Sequence, residues 1–286
     1  MITQDQIETT INEYIQNAPE NTMTLESGEP SWEECIIGFA NGADPVFESF
    51  KEHVGEYHYT PIEIFNKEFP NTSVRPEELT VISWALLQRE VTRKENGAED
   101  FYPSRRWVMA RFPGEAFNES LRHHVVEEFK NKKIDSVSPI LSAFYQTQSN
   151  ANYFYASNWS ERHNAYAAGL GTFGLCDGLI TSKGKAHRLG SVVAHVRIPP
   201  SKRPYKTHNE YCLYFTNEKC MVCAQRCPVD AITDQGHDKE KCWDHAGGTC
   251  ATYVEENFGL AGYGCGLCQT KVPCEKGIPK SLIPKI

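Results

Sequence analysis

Residues 220–228 read CMVCAQRCP, which places three cysteines in the spacing C-x2-C-x3-C directly before a proline. The chain has 286 residues and eleven cysteines, and nine of these thiols fall between positions 212 and 274. In a reducing compartment, such clustering favours metal or redox chemistry over a disulfide framework. The two outlying thiols, Cys35 and Cys176, are expected to be small buried hydrophobic residues.

The spacing is typical of a protein that holds two [4Fe–4S] clusters. The bacterial ferredoxin run is C-x2-C-x2-C-x3-C-P, and its fourth cysteine ligates the other cluster. Here the run is intact from its second cysteine onward, and Asn217, a poor ligand for iron, stands at the first position. The alternative is zinc, because two C-x2-C pairs can form a structural zinc site. Eight usable cysteines with C-x3-C-P fit two cubanes better.

The same logic gives each cluster four thiolates. A C-x2-C step lets two sulfurs reach one metal centre from a tight turn, whereas the cysteine before the proline reaches the neighbouring cluster. The expected ligands of the first cluster are Cys212, Cys220, Cys223 and Cys274. Those of the second cluster are Cys227, Cys242, Cys265 and Cys268. Cys250 is either a spare thiol or the ligand in place of Cys242.

Charge and the amino-terminal residues narrow the classes of function. The formal net charge of −8 argues against a nucleic-acid partner. The start, MITQDQIETT, has neither the basic nor the apolar region of a secretion signal. The longest strongly apolar stretch, near residues 81–87, is too short to cross a bilayer. We therefore expect a cytoplasmic protein with no membrane partner.

Local patterns predict an α+β fold. Capping boxes and apolar stripes predict helices over Gln4–Asn17, from Ser31 to about Gly42, from Pro45 to Gly55, from Thr60 onward, along Phe117–Phe129, and from Asn158 to Gly169. Buried strands are predicted at Leu79–Leu87 and Asp135–Leu141, and a hairpin is predicted from Leu179–Thr181 and Ser191–Ile198.

A change of composition predicts two domains. Residues 199–204 are rich in proline and read as a linker. Residues 1–205 are expected to form an α/β domain that binds cofactor or substrate. Residues 206–286 are expected to form a bacterial ferredoxin-like module for two [4Fe–4S] clusters. That second part has too little apolar surface to fold without metal.

Several segments resemble the epoxyqueuosine reductase and reductive dehalogenase superfamily. The run CMVCAQRCPVDAI (220–232), followed by KC (241–242) and YGCGLCQ (263–269), is similar to the ferredoxin-like end of that superfamily. The segment ERHNAYAAGLGTFG (161–174), followed by GLIT and GSVV, is similar to its E-x7-G-x-G-x-x-G stretch. The resemblance covers roughly residues 79–274. It implies a flavin-reductase-like domain that holds a corrinoid such as cobalamin, with the two-cluster module packed against it.

The chain departs from this superfamily at particular residues. Cys212 is displaced from the usual first position, and Cys274 comes late in CQTKVPC. Tyr155 stands where the queuosine enzymes have a proton-donating aspartate, and dehalogenases resemble this chain in using a tyrosine. Tyr155 is therefore the candidate catalytic acid, since a phenol of lowered pKa can donate a proton. The alternative is that residues 153–155 are an aromatic strand core.

The motif GLGTFG supplies the candidate cofactor-binding residues Gly169, Gly171 and Gly174. A dinucleotide site needs this motif between a strand and a helix, whereas here it follows a helical pattern. A tight turn is the simpler interpretation. The resemblance nevertheless places this turn close to the corrinoid. No short motif for cobalamin is readable, so the sequence leaves its binding open.

The expected function is that of a cytosolic iron–sulfur oxidoreductase. It would relay single electrons from a donor such as a ferredoxin or flavodoxin through two clusters to a corrinoid that reduces a small molecule. Two alternatives stay open. One is a non-catalytic electron carrier, and the other is an activator that reduces the corrinoid of a partner protein.

Overall fold

The computed structural model describes residues 2–23, 28–149, 154–217 and 220–282. Its helices are α1 (Gln4–Asn17), α2 (Val46–Val54), α3 (Pro61–Glu68), α4 (Glu90–Ala98), α5 (Arg105–Arg111), α6 (Pro113–Asn131), α7 (Glu161–Ala167), α8 (Leu213–Asn217), α9 (Val222–Gln225), α10 (Lys239–Trp243) and α11 (Cys250–Phe258). Its strands are β1 (Trp32–Asn41), β2 (Thr80–Gln88), β3 (Ser136–Val137), β4 (Thr147–Gln148), β5 (Ala156–Ser157), β6 (Gly171–Phe173), β7 (Leu179–Thr181), β8 (His187–Ala194), β9 (Ile232–Thr233) and β10 (Gly236–His237). This mixture confirms the α+β class.

Four strands form one antiparallel sheet in the order β1–β2–β8–β3. The central strand β2 is buried along its whole length, because helices cover both faces of the sheet. Alternate residues of a strand point to opposite faces. Ile82 therefore packs with α1 and α6, whereas Val81 packs with α2, α3 and α7.

Most of the predicted helices and the central strand are confirmed. The capping box of α1 is present, because Thr3 Oγ1 accepts the Gln6 N–H at 3.3 Å and Gln6 Oε1 accepts the Thr3 N–H at 3.0 Å. Gly55 ends α2, and Pro61 begins α3. The strand predicted at 79–87 is β2. These elements form because their local signals and their buried faces agree.

The helix predicted between Ser31 and Gly42 is wrong, because this segment is strand β1. Ile36 and Ile37 are β-branched, and residues 35–41 pair in register with β2. Pairing with a distant strand outweighs a local capping pattern, since intrinsic propensities are weak compared with tertiary packing.

The predicted hairpin is also wrong, because its two strands do not pair with each other. Strand β7 pairs with β6, whereas β8 begins at His187 and pairs with β2 and β3. Of the strand predicted at 135–141, only β3 forms, because Pro139 begins a 3-10 turn. Helix α7 begins after Ser160, and the side chain of Asn158 instead holds the loop near Phe144.

The proline-rich stretch 199–204 is irregular, as predicted, but it is fixed against the sheet. The Ser201 N–H donates to the Phe39 carbonyl at 2.8 Å, and the Phe39 N–H donates to Ser201 Oγ at 2.9 Å. Arg203 pairs with Asp44 at 2.6 Å. The chain therefore follows one defined path from the sheet to the cysteine-rich segment. Within the described ranges, the helices lack the length and apolar character that a bilayer crossing requires.

Candidate metal centre and the adjoining aromatic face

Short turns present the cysteines of the run. Helix α9 carries Cys223 in its first turn and ends shortly before Cys227. The Ala231 N–H donates to Cys227 Sγ at 3.2 Å, and backbone bonds to sulfur of this kind tune cluster potentials. Cys265 and Cys268 flank the start of a 3-10 turn. Both C-x2-C pairs therefore lie on compact turns, as the spacing requires.

Cys212, Cys220, Cys223 and Cys274 line one narrow cavity. They are the four thiols that the spacing assigns to the first cluster, and the fold brings them together from separate stretches of chain. Burial raises the pKa of the Cys274 thiol to about 11, so this sulfur gives up its proton only when a metal binds. Four thiols around one cavity fit a [4Fe–4S] cluster, whose usual ligands are four thiolates.

The second group of thiols surrounds Cys265. Interaction with the Cys265 thiol lowers the pKa of Cys250, whereas burial and the charge of Cys242 oppose that shift. The pKa of Cys268 responds in turn to the charge of Cys265. Cys250 Sγ lies 3.4 Å from His245 Nε2. Because Cys242 and Cys250 both lie in this group, the choice between them as ligand stays a prediction.

The two groups are gatherings of thiols rather than finished ligand cages. Among the residues that the structure describes, no three His, Cys, Asp or Glu side chains stand in metal-binding geometry. The thiols therefore match two clusters in their donor type and in their grouping, but not in their coordination geometry. The assignment of individual ligands is a prediction that metal analysis of variants can decide.

Sequence reasoning missed two members of this centre, Cys176 and Lys185. Cys176 is buried, as expected, but it is not an isolated hydrophobic residue, because it packs in one cluster with Cys223 and Cys268. Interaction with those two thiols, helped by the nearby charge of Lys185, lowers the pKa of Cys176 well below its usual value. Lys185 Nζ donates to Cys176 Sγ at 3.2 Å. No spacing rule points to either residue, since both come from the loops around β7.

Buried polar contacts join the cysteine segment to the preceding helices. Asn96 of α4 is fully buried, and its Nδ2 donates to the Cys265 carbonyl and to Thr270 Oγ1, both at 3.3 Å. Asn96 Oδ1 accepts the Ser104 N–H at 2.9 Å. These bonds fix the second C-x2-C pair against the α4–α5 corner.

A tight turn at Gly184 joins the segment at a second point. Gly184 has a φ of +99°, and a Cβ there would lie 1.9 Å from the Glu275 carbonyl oxygen. The next residue, Lys185, donates its N–H to the Cys274 carbonyl at 3.1 Å. Only glycine satisfies both the backbone angle and the close approach. This turn therefore holds Cys274 in its place beside the cavity.

Replacing Gly184 by alanine should displace the Cys274 segment. The backbone strain costs about 1–2 kcal/mol, and the clash with Glu275 adds about 1–3 kcal/mol. Gly236→Ala is the matched control, because Gly236 also has a positive φ but has open space around its Cβ position. Denaturant unfolding of the anaerobic protein should show a larger loss of unfolding free energy for G184A than for G236A, and G184A should also bind less iron. Equal losses in the two variants would contradict the proposed contact.

The candidate acid Tyr155 lies on an exposed aromatic surface. Its side chain is 58% exposed, so it is not part of a strand core; Tyr153 lies outside the described residues. The Tyr155 ring is parallel to that of Trp243 at 6.4 Å, and Trp243 meets Tyr263 edge-on at 5.1 Å. Arg111 Nη2 donates to Tyr263 Oη at 3.1 Å. We call these residues, Tyr155, Trp243, Tyr263 and Arg111, the Tyr155 face.

The Tyr155 face adjoins the second cysteine group. Trp243 directly follows Cys242, and Tyr263 precedes Cys265 by two positions. Burial and the neighbouring Tyr263 raise the pKa of Tyr155, so the phenol keeps its proton at neutral pH. That shift is opposite to the one that would strengthen Tyr155 as an acid. Its catalytic role stays a prediction.

A buried network of charges lies near this face. Glu115 Oε1 accepts from Arg122 at 2.9 Å, and Glu115 Oε2 accepts from Arg188 Nε at 2.8 Å. Glu161, in the first turn of α7, is largely buried 3.6 Å from Arg122, and burial raises its pKa. Burial and the nearby Arg188 lower the pKa of Arg111, whereas Tyr263 and Glu115 oppose that shift. The network therefore acts electrostatically on the arginine of the Tyr155 face.

The three candidate glycines are packed against protein. Gly169 has a φ of +81° at the end of α7, and a Cβ on it would meet the Lys202 carbonyl at 2.8 Å. A Cβ on Gly171 would lie 2.2 Å from the Ile180 carbonyl, and one on Gly174 would lie 3.2 Å from the Ile180 side chain. Close backbone packing therefore accounts for these glycines, as in the simpler interpretation of the motif.

The matches to known proteins come from the comparison with solved structures. No protein-family model matches the chain, and no curated protein matches it. Among solved structures, an epoxyqueuosine reductase from Bacillus subtilis aligns at 16% identity and a TM-score of 0.43, over 98% of this chain and 68% of that chain. An epoxyqueuosine reductase with an epoxyqueuosine-modified tRNA-Tyr stem loop aligns at 16% identity and 0.46, with the same coverage. A reductive dehalogenase associated with B12-dependent dehalogenation aligns at 13% identity and 0.47, over 86% of this chain and 31% of that one. These are the protein classes that the sequence motifs resemble.

Proposed function

We propose that this chain is an iron–sulfur oxidoreductase that passes single electrons through two [4Fe–4S] clusters. The observation that carries the proposal is the cavity lined by Cys212, Cys220, Cys223 and Cys274. The fold brings Cys274 beside Cys212, Cys220 and Cys223, and these four thiols are the set that the cysteine spacing predicts for the first cluster.

The chain's own residues define what each part would do. The first cluster would be held by the cavity thiols, and the second by Cys227, Cys265, Cys268 and either Cys242 or Cys250. Bound clusters supply one-electron transfer. Burial keeps water from the sulfurs, and the Ala231 N–H stabilises negative charge on Cys227. A ferredoxin or flavodoxin is the expected donor.

The Tyr155 face is the proposed binding surface for the electron acceptor. Tyr155 and Trp243 offer exposed rings against which a flat or apolar group can stack. Arg111 lies over the neighbouring Tyr263 ring and offers a charge to an anionic group. Because Trp243 directly follows Cys242, an acceptor on this surface would be close to the second cluster.

The resemblance points to a corrinoid as the acceptor, but the three glycines give it no support. Backbone oxygens of Lys202 and Ile180 lie within 2.8 Å of the Cβ positions of Gly169 and Gly171, and Gly174 lines the cavity of the first predicted cluster rather than a separate pocket. We therefore derive no step through a corrinoid. Addition of cobalamin to the iron-loaded protein decides the matter. A shifted visible spectrum and reducible cobalt would favour a corrinoid-dependent reductase. A shift only in the presence of a partner corrinoid protein would favour the activator, and no shift would favour the electron carrier.

Anaerobic purification with metal analysis tests the proposal as a whole. Two cubanes require about eight irons and eight acid-labile sulfides per chain. The protein should be brown and should give a paramagnetic signal after reduction with dithionite. One zinc per chain, without sulfide, would overturn the proposal.

A further inference from the structure

Lys185 is a buried cation among the sulfurs of both cysteine groups. Only 2% of its surface is exposed. Its Nζ donates to Cys176 Sγ at 3.2 Å, and the side chain lines the cavity formed with Cys212, Cys220, Cys223 and Cys274. The charges of Cys223 and Cys268 act on it as well. Cys223 and Cys274 belong to the first predicted cluster and Cys268 to the second, so the charge of Lys185 acts on predicted ligands of both clusters.

The backbone fixes the position of this ammonium group. The turn before it is closed by reciprocal bonds between Thr181 and Gly184, at 3.1 and 3.0 Å. Lys185 itself donates its N–H to the Cys274 carbonyl. The lysine is therefore held by the same turn that holds a predicted cluster ligand. Its side chain leaves that turn toward Cys176 and the thiols beyond it.

The surroundings of Lys185 provide sulfur where a buried cation usually has a carboxylate. In the described part of the chain, no Asp or Glu forms an ion pair with it. A buried charge without compensation is costly. Thiolates that bind clusters would supply that compensation, because a cubane with four thiolates carries net negative charge. That negative charge grows by one each time a cluster accepts an electron.

We propose that Lys185 stabilises the reduced clusters and so raises the reduction potential of at least one of them. This inference rests on the proposed function, since it needs the clusters to be present. The reason is electrostatic. A fixed positive charge among the ligands of both clusters attracts the added electron more strongly than a neutral side chain would, and the low-dielectric interior preserves that attraction. Lys185 would thus act through its fixed positive charge and would not bind iron.

A redox titration of the anaerobic holoprotein, followed by electron paramagnetic resonance, tests the proposal. Lys185→Met should shift at least one midpoint potential to more negative values by about 59 mV, which is a tenfold change in a one-electron equilibrium. Lys185→Arg keeps the charge and should keep the potential. Lys183→Met is the matched surface control, because Lys183 lies two residues away and 55% of its side chain is exposed. Unchanged potentials in a fully loaded K185M protein would overturn the proposal.

The iron content of each variant is measured, because K185M could fail to bind its clusters. In that case Lys185→Gln is tested in place of K185M, since glutamine retains a hydrogen-bond donor without the charge. Loss of iron in K185Q but not in K185R supports a role for the positive charge of Lys185. Loss of iron in K185R as well would overturn the proposal and would mean that the side chain acts through its packing. Wild-type protein without iron and sulfide would refute the proposed function itself. Failure of the two ideas is therefore distinguishable.

Discussion

Replacement of Cys223 by alanine should halve the iron and sulfide content of the protein, from about eight to about four atoms of each per chain. Cys223 is buried, lies in the cavity with three other predicted ligands, and touches Cys176. Removal of one thiolate leaves three predicted donors around the cavity, too few for a stable cubane. The neighbouring Cys176 does not line the cavity, and its Sγ accepts a hydrogen bond from Lys185 Nζ. The second group contains none of the altered residues, so its cluster should stay. Metal analysis and the spin signal of the reduced protein measure the loss.

Cys35→Ala is the matched control for this prediction. Cys35 is also a mostly buried thiol, and burial raises its pKa to about 12, but its Sγ faces Asn12 on the other side of the fold. This variant should retain the full iron content. The same assay applied to Cys242→Ala and Cys250→Ala identifies the fourth ligand of the second cluster. Full iron content in C223A would refute the ligand assignment.

The sequence predicts a grouping of the cysteines because their spacing reflects local geometry. A C-x2-C step fixes two sulfurs on one turn, and the resulting assignment agrees with the cavity lined by Cys212, Cys220, Cys223 and Cys274. Lys185 could not be found in this way. It reaches the thiols only because the Gly184 turn packs on Glu275, a contact between residues far apart in sequence.

The errors in the predicted fold also arise from contacts between residues that are far apart in sequence. Residues 31–42 carry a helical capping pattern, yet they form β1 because β2 offers a partner along their length. The mistaken hairpin likewise paired neighbours in sequence, whereas β8 pairs with the distant strands β2 and β3. Local signals were reliable for α1 and α3, whose caps are made within four residues. The exposure of Tyr155 depends on tertiary packing, which periodicity does not report.

Replacement of Glu115 by glutamine should lower the free energy of unfolding by about 3 kcal/mol, because it breaks a largely buried charge pair. Arg122 is only 1% exposed, and without the carboxylate its remaining acceptors are the Leu189 carbonyl and Glu161. Glu127→Gln is the control on the same helix, since Glu127 pairs with Lys130 on the surface and should contribute less than about 1 kcal/mol. Denaturant unfolding of protein with equal iron content measures both.

The pH dependence of this difference provides a second check. Burial alone would raise the pKa of Glu115, but Arg188 and Arg122 outweigh it and lower the pKa from 4.5 to about 2. A carboxyl whose pKa is lower in the folded state stabilises the fold above its unfolded pKa, and this contribution is lost as the pH falls toward the folded pKa. At about 1.4 kcal/mol per pH unit, the shift corresponds to about 3 kcal/mol, in agreement with the estimate for E115Q. The wild type should therefore exceed E115Q in stability by a constant amount between pH 8 and pH 6, and the gap should narrow below about pH 5. A gap that persists unchanged at acid pH would mean that glutamine acts through its shape rather than through the missing charge.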